Sequence, residues 1–113
     1  MELKELAQSL SEEKVKSLVA ELCGVDDCFE TDSYIAFRTI CHNPHPEEAS
    51  HKLYYYKQNK MFHCYTDCGD SFDIFDLFKR RYELMGIEYN FYKDIVLKIN
   101  DGKALKKTGF DNN

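Results

Sequence analysis

The sequence predicts an α+β domain: a three-stranded antiparallel sheet with one helix on its N-terminal side and two on its C-terminal side. Three observations carry that expectation. Segments 33–40, 52–57 and 60–65 sort their side chains onto two faces with the period of a strand. Segments 11–24, 71–86 and 90–100 place apolar residues at helical spacing. Three of the five cysteines fall in two clusters, one on each side of a tyrosine-rich hairpin.

Ser11 followed by Glu12 and Glu13 reads as a helix start, the hydroxyl capping free N–H groups and the acids facing the positive end of the helix dipole. Val15, Leu18, Val19 and Leu22 form the apolar stripe, and Gly24 is the stop. Residues 25–31 read as a loop. In the strand over 33–40, Ile35, Phe37 and Thr39 lead to Cys41 on one face, while Tyr34, Ala36 and Arg38 take the other. Pro44 and Pro46 make the next segment turn-like, since proline neither donates to a ladder nor fits a helix interior. Strands 52–57 and 60–65 follow, joined by Gln58-Asn59, with Asn59 expected to tolerate the positive φ of a tight turn.

Opposing Lys57 to Lys60 pairs Tyr56 with Met61, Tyr55 with Phe62, Tyr54 with His63 and Leu53 with Cys64. Leu53, Tyr55, Phe62 and Cys64 then face inward; Lys52, Tyr54, Tyr56, Met61 and His63 face outward. A one-residue slip would exchange the two sets. Asp70-Ser71 reads as a second helix cap, ahead of Phe72, Phe75, Phe78, Tyr82 and Met85, with Gly86 as the stop. Lys79, Arg80 and Arg81 read as the solvated side of that helix. A third helix runs from about Asn90 through Phe91, Ile95 and Ile99 to Asn100-Asp101-Gly102. A single domain over 1–102 and a frayed tail over 103–113 account for the 113 residues.

No apolar run reaches the length of a membrane span, and Met1-Glu2-Leu3-Lys4 lacks an apolar signal core, so a cytoplasmic protein with no membrane partner is expected. Cysteines in that setting read as metal ligands or free thiols rather than disulfides, and Cys23 and Cys28 as thiols outside the main clusters. The net charge of −5 opposes strong non-specific attraction to nucleic acid. The charge is uneven, however: 49–66 holds no acidic residue and carries His51, Lys52, Lys57, Lys60 and His63.

Cys41 sits in Cys41-His42-Asn43-Pro44-His45, and Cys64 and Cys68 in Phe62-His63-Cys64-Tyr65-Thr66-Asp67-Cys68-Gly69. Two thiolates close in sequence, facing a Cys/His cluster across a hairpin, form a zinc-ribbon pattern, and a closed structural Zn2+ site takes four such ligands. Cys41, Cys64 and Cys68 supply three. Spacing leaves the fourth open among His42, His45 and His51: His45 makes an easily closed Cys-x3-His chelate, His42 requires a sharp backbone turn, and His51 begins the hairpin. A catalytic zinc would need an open position and a base beside a pocket, which nothing in the sequence marks.

The order of strand, Cys41-His42 knuckle, two-stranded hairpin, Cys64/Cys68 knuckle and aromatic helix Ser71-Phe72-Asp73-Ile74-Phe75-Asp76-Leu77-Phe78 resembles the amino-terminal zinc-binding domain of bacterial DnaG-type DNA primases, above all the small versions on phages and mobile elements. The resemblance covers most of the chain and departs from the family in its x3 spacing at the second knuckle and the insertion between knuckles. It implies a structural Zn2+ held by Cys41, Cys64, Cys68 and a histidine of the first knuckle. The Cys-His-Asn start of phage-type members favours His42, with His45 and His51 as alternates. It also implies contact with single-stranded DNA template in replication. The family's nucleotidyl transfer belongs to a separate domain, so no catalytic residue is expected here, and a separate primase, polymerase or helicase would be the partner.

Single strands are bound by aromatic rings that stack on bases and cations that meet phosphates. The outward face offers Tyr34, Arg38, Lys52, Tyr54, Tyr56 and His63 for that. The acidic net charge supports a different role, a phage-type regulator or inhibitor that uses the zinc-ribbon scaffold to bind a host protein.

Overall fold

The computed structural model describes residues 3–24, 27–90 and 92–99. It corrects the expected architecture. The sheet has five antiparallel strands instead of three, in the order β1 (Phe29–Glu30), β2 (Tyr34–Phe37), β3 (Leu53–Tyr56), β4 (Met61–Cys64) and β5 (Ser71–Phe72). It is an open sheet rather than a three-stranded zinc ribbon. Instead of one helix before it and two after, four α-helical segments occur among the described residues: α1 (Leu3–Gln8), α2 (Glu12–Cys23), α3 (Ile74–Leu84) and α4 (Leu97–Ile99). None is long and apolar enough to cross a membrane.

Both extra strands come from turns that fold short segments back on the sheet. The Thr31 hydroxyl accepts from the N–H groups of Ser33 and Tyr34, and the Thr31 N–H donates to the Tyr34 carbonyl at 2.8 Å. That closes the chain on itself and pairs Phe29 with Ala36 and Glu30 with Ile35, inside the segment expected to be a loop. On the other edge Gly69 takes φ 67, a left-handed conformation costly for residues with a Cβ. The return places Phe72 opposite Phe62 and Ser71 opposite His63. Ser71 is thus spent on a strand, and the cap of α3 is Asp73, whose carboxylate accepts from the Asp76 N–H at 2.9 Å.

Other elements lie where the sequence puts them. Ser11 caps α2 by accepting from the Lys14 N–H, and Gly24 ends it at φ 75. The hairpin has the expected register, Leu53↔Cys64 through Tyr56↔Met61. Its connection differs: residues 57–60 form a four-residue turn, and the positive φ falls on Lys60, at 60°, rather than on Asn59. Asn59 instead accepts the Met61 N–H on its side-chain oxygen at 3.0 Å. The strand expected over 33–40 stops at Phe37, because the Ile40 N–H bonds back to the Arg38 carbonyl at 2.7 Å and turns the chain. Near the C-terminal end the expected helix is a π-helical turn, Tyr92–Val96, running into α4. Phe91, the stop at 100–102 and the tail over 103–113 lie outside the described residues.

One face of the sheet carries the core. Ile35, Phe37, Leu53, Tyr55, Phe62, Cys64 and Phe72 pack with Leu18 and Val19 of α2, with Leu77 and Phe78 of α3, and with Ile95 and Val96. Tyr55 and Phe62, side by side at 4.8 Å between ring centroids, are its largest fully buried side chains together with Phe78. Each such ring contributes roughly 1.5–3 kcal/mol by leaving water. The other face is left to Tyr34, Tyr54, Tyr56, Met61 and His63.

Candidate metal centre

The loop after β2 and the loop after β4 meet at the end of the sheet. Cys41 and Cys64 are buried, and His42 and Cys68 are half-buried. His42 Nδ1 lies 3.4 Å from the Cys41 sulfur, 3.6 Å from that of Cys64 and 3.5 Å from that of Cys68. The Cys68 and Cys41 sulfurs are 3.5 Å apart, and all four donor atoms lie within 4.8 Å of one another. In a tetrahedral site with the usual zinc bond lengths, an S···N edge measures about 3.6 Å and an S···S edge about 3.8 Å. The cluster therefore has the shape of a zinc coordination shell, and Cys41, His42, Cys64 and Cys68 are a Zn2+-binding site.

The electrostatics agree with the geometry. Burial and the neighbouring thiol of Cys64 push the Cys41 thiol far above its ordinary range, and burial likewise raises Cys68. Burial also acts against ionisation of Cys64, but the Thr66 hydroxyl and the backbone N–H groups of Thr66 and Cys68 outweigh it and bring that thiol down to about 6. Three sulfurs so close together repel as thiolates, and a divalent cation resolves the repulsion. The other ring nitrogen of His42 faces the Thr66 hydroxyl at 3.4 Å and the Asp67 carboxylate at 3.6 Å. An Nε2–H pointed at such acceptors fixes the tautomer that leaves Nδ1 free for a metal.

The other two histidines are placed elsewhere. His45 is exposed and precedes the 3₁₀ turn Pro46–Glu48. His51 sits 3.5 Å from Asp27 and edge-on to Phe29. A direct check is zinc content after single replacement. His42→Ala is expected to lose bound metal and thermal stability together, whereas His45→Ala and His51→Ala retain one zinc per chain; full metal in His42→Ala would overturn the ligand set.

A residue outside the metal pattern positions the first knuckle. Arg81 of α3 is only 5% exposed, and its guanidinium donates to the carbonyls of Ile40 at 3.2 Å, Asn43 at 2.7 Å and Pro44 at 3.5 Å. It thereby holds the loop that contains Cys41 and His42. The sequence placed Arg81 on a solvated face, and nothing in Lys79-Arg80-Arg81 marks which cation turns inward. Arg80 belongs to the second knuckle. It forms a two-pronged pair with Asp70 at 2.8 and 3.1 Å, stacks 4.1 Å over the Phe72 ring, and its positive charge favours the thiolate of Cys68 against the effect of burial. Its charge offsets the net negative charge that three thiolates and one Zn2+ would carry.

The outward face is a continuous set of rings. Tyr34 stacks on Tyr54 with centroids 4.4 Å apart, Tyr65 meets Tyr54 edge-on at 5.0 Å, and His63 lies 4.4 Å from Tyr65. The Tyr56 and Tyr65 hydroxyls are hydrogen-bonded. Tyr34, Tyr54, Tyr56 and His63 are half-buried against one another and take no part in the core cluster, and Tyr65 is 52% exposed. Lys52 is exposed beside them, its carbonyl accepting the Tyr65 N–H. Arg38 stands apart: its guanidinium grips the Asp27 carboxylate and donates to the carbonyls of Pro46 and Ala49 at 3.0 and 2.9 Å. Tyr65, which the sequence reading did not select, closes the row because it extends the hairpin one residue past Cys64.

No protein-family model and no solved structure matches the chain. Among curated proteins it is similar to the SPbeta prophage-derived protein YorJ of Bacillus subtilis, 38% identical over 107 residues. That alignment takes in 93% of the chain and 27% of YorJ, so the chain spans about a quarter of the length of this relative.

Proposed function

We propose that the chain is a zinc-stabilised, non-catalytic module that binds single-stranded DNA in the replication of a phage or mobile element, as an accessory to a separate primase, polymerase or helicase. The observation that carries the reading is the uncovered row of Tyr34, Tyr54, Tyr65 and His63 with Lys52 at its edge. Rings on a sheet face offer stacking surfaces to splayed bases, and a nearby ammonium meets phosphate. Four protein donors fill the tetrahedron of the zinc, which supports a structural rather than a catalytic ion. The primase resemblance supports the replication setting, and the prophage origin of YorJ supports the association with a phage or mobile element.

Fluorescence anisotropy with a short single-stranded oligonucleotide at two salt concentrations tests this. Tyr54→Ala is expected to weaken binding about 10-fold, in line with about 1–3 kcal/mol per stacked base. Lys52→Ala is expected to weaken binding and lower the salt slope by about 0.7, one phosphate contact on a single strand. Absence of binding at tens of micromolar protein would sink the proposal in favour of a protein-binding regulator, the reading that the net charge of −5 supports.

A further inference from the structure

The exposed ring of Phe29 stands in line with the tyrosine row. Directly opposed residues on antiparallel strands share a face, and the pairings Phe29↔Ala36, Ala36↔Tyr54, Tyr54↔His63 and His63↔Ser71 run straight across all five strands. Phe29 therefore belongs to the outward face, on the edge strand β1. It is 62% exposed, more than Tyr65 or any other large apolar side chain among the described residues. Its ring is braced by His51, which meets it edge-on at 4.6 Å.

Phe29 is set apart from the tyrosines. Ala36, between it and Tyr54, carries no ring, and two strand-to-strand steps put the Cα atoms of Phe29 and Tyr54 about 10 Å apart. Tyr54 is already engaged by Tyr34 and Tyr65. The acids on either side of Phe29 are matched by cations: Asp27 by Arg38 at 2.6 Å, and Glu30 by Lys16 and Lys57, each at 2.8 Å. A phosphate therefore meets little repulsion at this edge, and Lys52 stays exposed beside Tyr54 to attract one.

We infer that Phe29 is a second stacking station for single-stranded DNA, taken by a base several nucleotides along from the one on the tyrosines. The inference rests on the proposal that this face binds single strands. A stacked strand rises about 3.4 Å per nucleotide, so about three steps cover the gap, and two adjacent bases cannot use both stations. Strand length thereby governs affinity, while base identity does not, since every base has a π face.

The experiment uses the full chain with zinc bound. Anisotropy follows a fluorescein-labelled, eight-nucleotide oligothymidylate, and unlabelled thymidine dinucleotide competes. Phe29→Ala is expected to weaken the longer oligonucleotide about 10-fold and leave the dinucleotide unchanged, with zinc content and melting temperature as in the wild type. Tyr54→Ala is expected to weaken both. Phe29→Trp is expected to keep the affinity, whereas Phe29→Leu, apolar but without a π face, loses it as alanine does. Binding of the longer oligonucleotide that survives Phe29→Ala but not Tyr54→Ala overturns the second station and leaves the tyrosines as the DNA site. A Phe29→Ala loss shared equally by the dinucleotide also overturns it, because the ring then acts only by holding the tyrosines in place. No binding of either oligonucleotide by the wild type overturns both readings and assigns the exposed ring to a protein contact.

Discussion

Stripping the zinc with a strong chelator under reducing conditions is expected to remove the cooperative thermal transition or lower its midpoint by more than about 20 °C. The site ties residue 41 to residue 68, and through Cys64 it anchors the end of β4. In small zinc-dependent folds the metal contributes an apparent 10–16 kcal/mol or so, against a total stability of about 5–15 kcal/mol for a whole domain. Without the cation, Cys41 and Cys68 revert to neutral thiols, as their desolvation already favours, and nothing draws the knuckles together. Circular dichroism melts before chelation, after it and after readdition of one equivalent of zinc provide the measurement. Metal analysis showing no zinc in a sample whose melting is unchanged would refute a structural role for the ion.

Replacing Arg81 by methionine is expected to cost about 3 kcal/mol, or about 10–20 °C in midpoint, and to weaken zinc binding 10- to 100-fold. Methionine fills much the same space, so the loss reports the guanidinium. Three carbonyls of the first knuckle lose their donor, and those of Ile40 and Asn43 have the closest contacts to replace. Arg81→Lys is not expected to rescue, because one ammonium cannot reproduce a planar fork directed at several acceptors. Arg80→Met is the control. Arg80 lies nearer the surface with an exposed aspartate as its partner, so its loss should cost under about 1.5 kcal/mol. Competition with a chromophoric chelator measures the zinc affinities. Equal effects at positions 80 and 81 would refute the positioning role of Arg81.

Much of this molecule is legible in its sequence because strong local signals coincide with tertiary demand. The hairpin register follows from opposing Lys57 to Lys60 across the turn, and alternation guards it: in that pairing Leu53, Tyr55, Phe62 and Cys64 share the buried side, and a one-residue slip would expose all four. Ser11 and Gly24 bracket α2 through cap chemistry that needs no partner from the rest of the chain. The ligands are visible as three cysteines, but the choice of His42 over His45 depends on the tight turn after Ile40, which a spacing rule does not contain. The edge strands Phe29–Glu30 and Ser71–Phe72 are too short to show periodicity. They exist because the Thr31 turn and Gly69 return the chain to an unfilled ladder, so three strands were expected where five form. Asp73 was overlooked as a cap because Asp70-Ser71 offers the same side-chain chemistry two residues earlier. Arg81 was illegible for a different reason: its burial is set by the knuckle it meets, some forty positions away in the chain.

The alternation along β4 has a mechanical consequence. Cys64 points to the zinc, and His63, its immediate neighbour, points to the tyrosines. Whatever sets the distance between the sulfur and its ion also sets the roll of that strand, and the inter-ring spacing on the opposite side inherits it. Substituting a larger thiophilic cation would therefore retune the aromatic platform from behind, without any atom of the platform being exchanged.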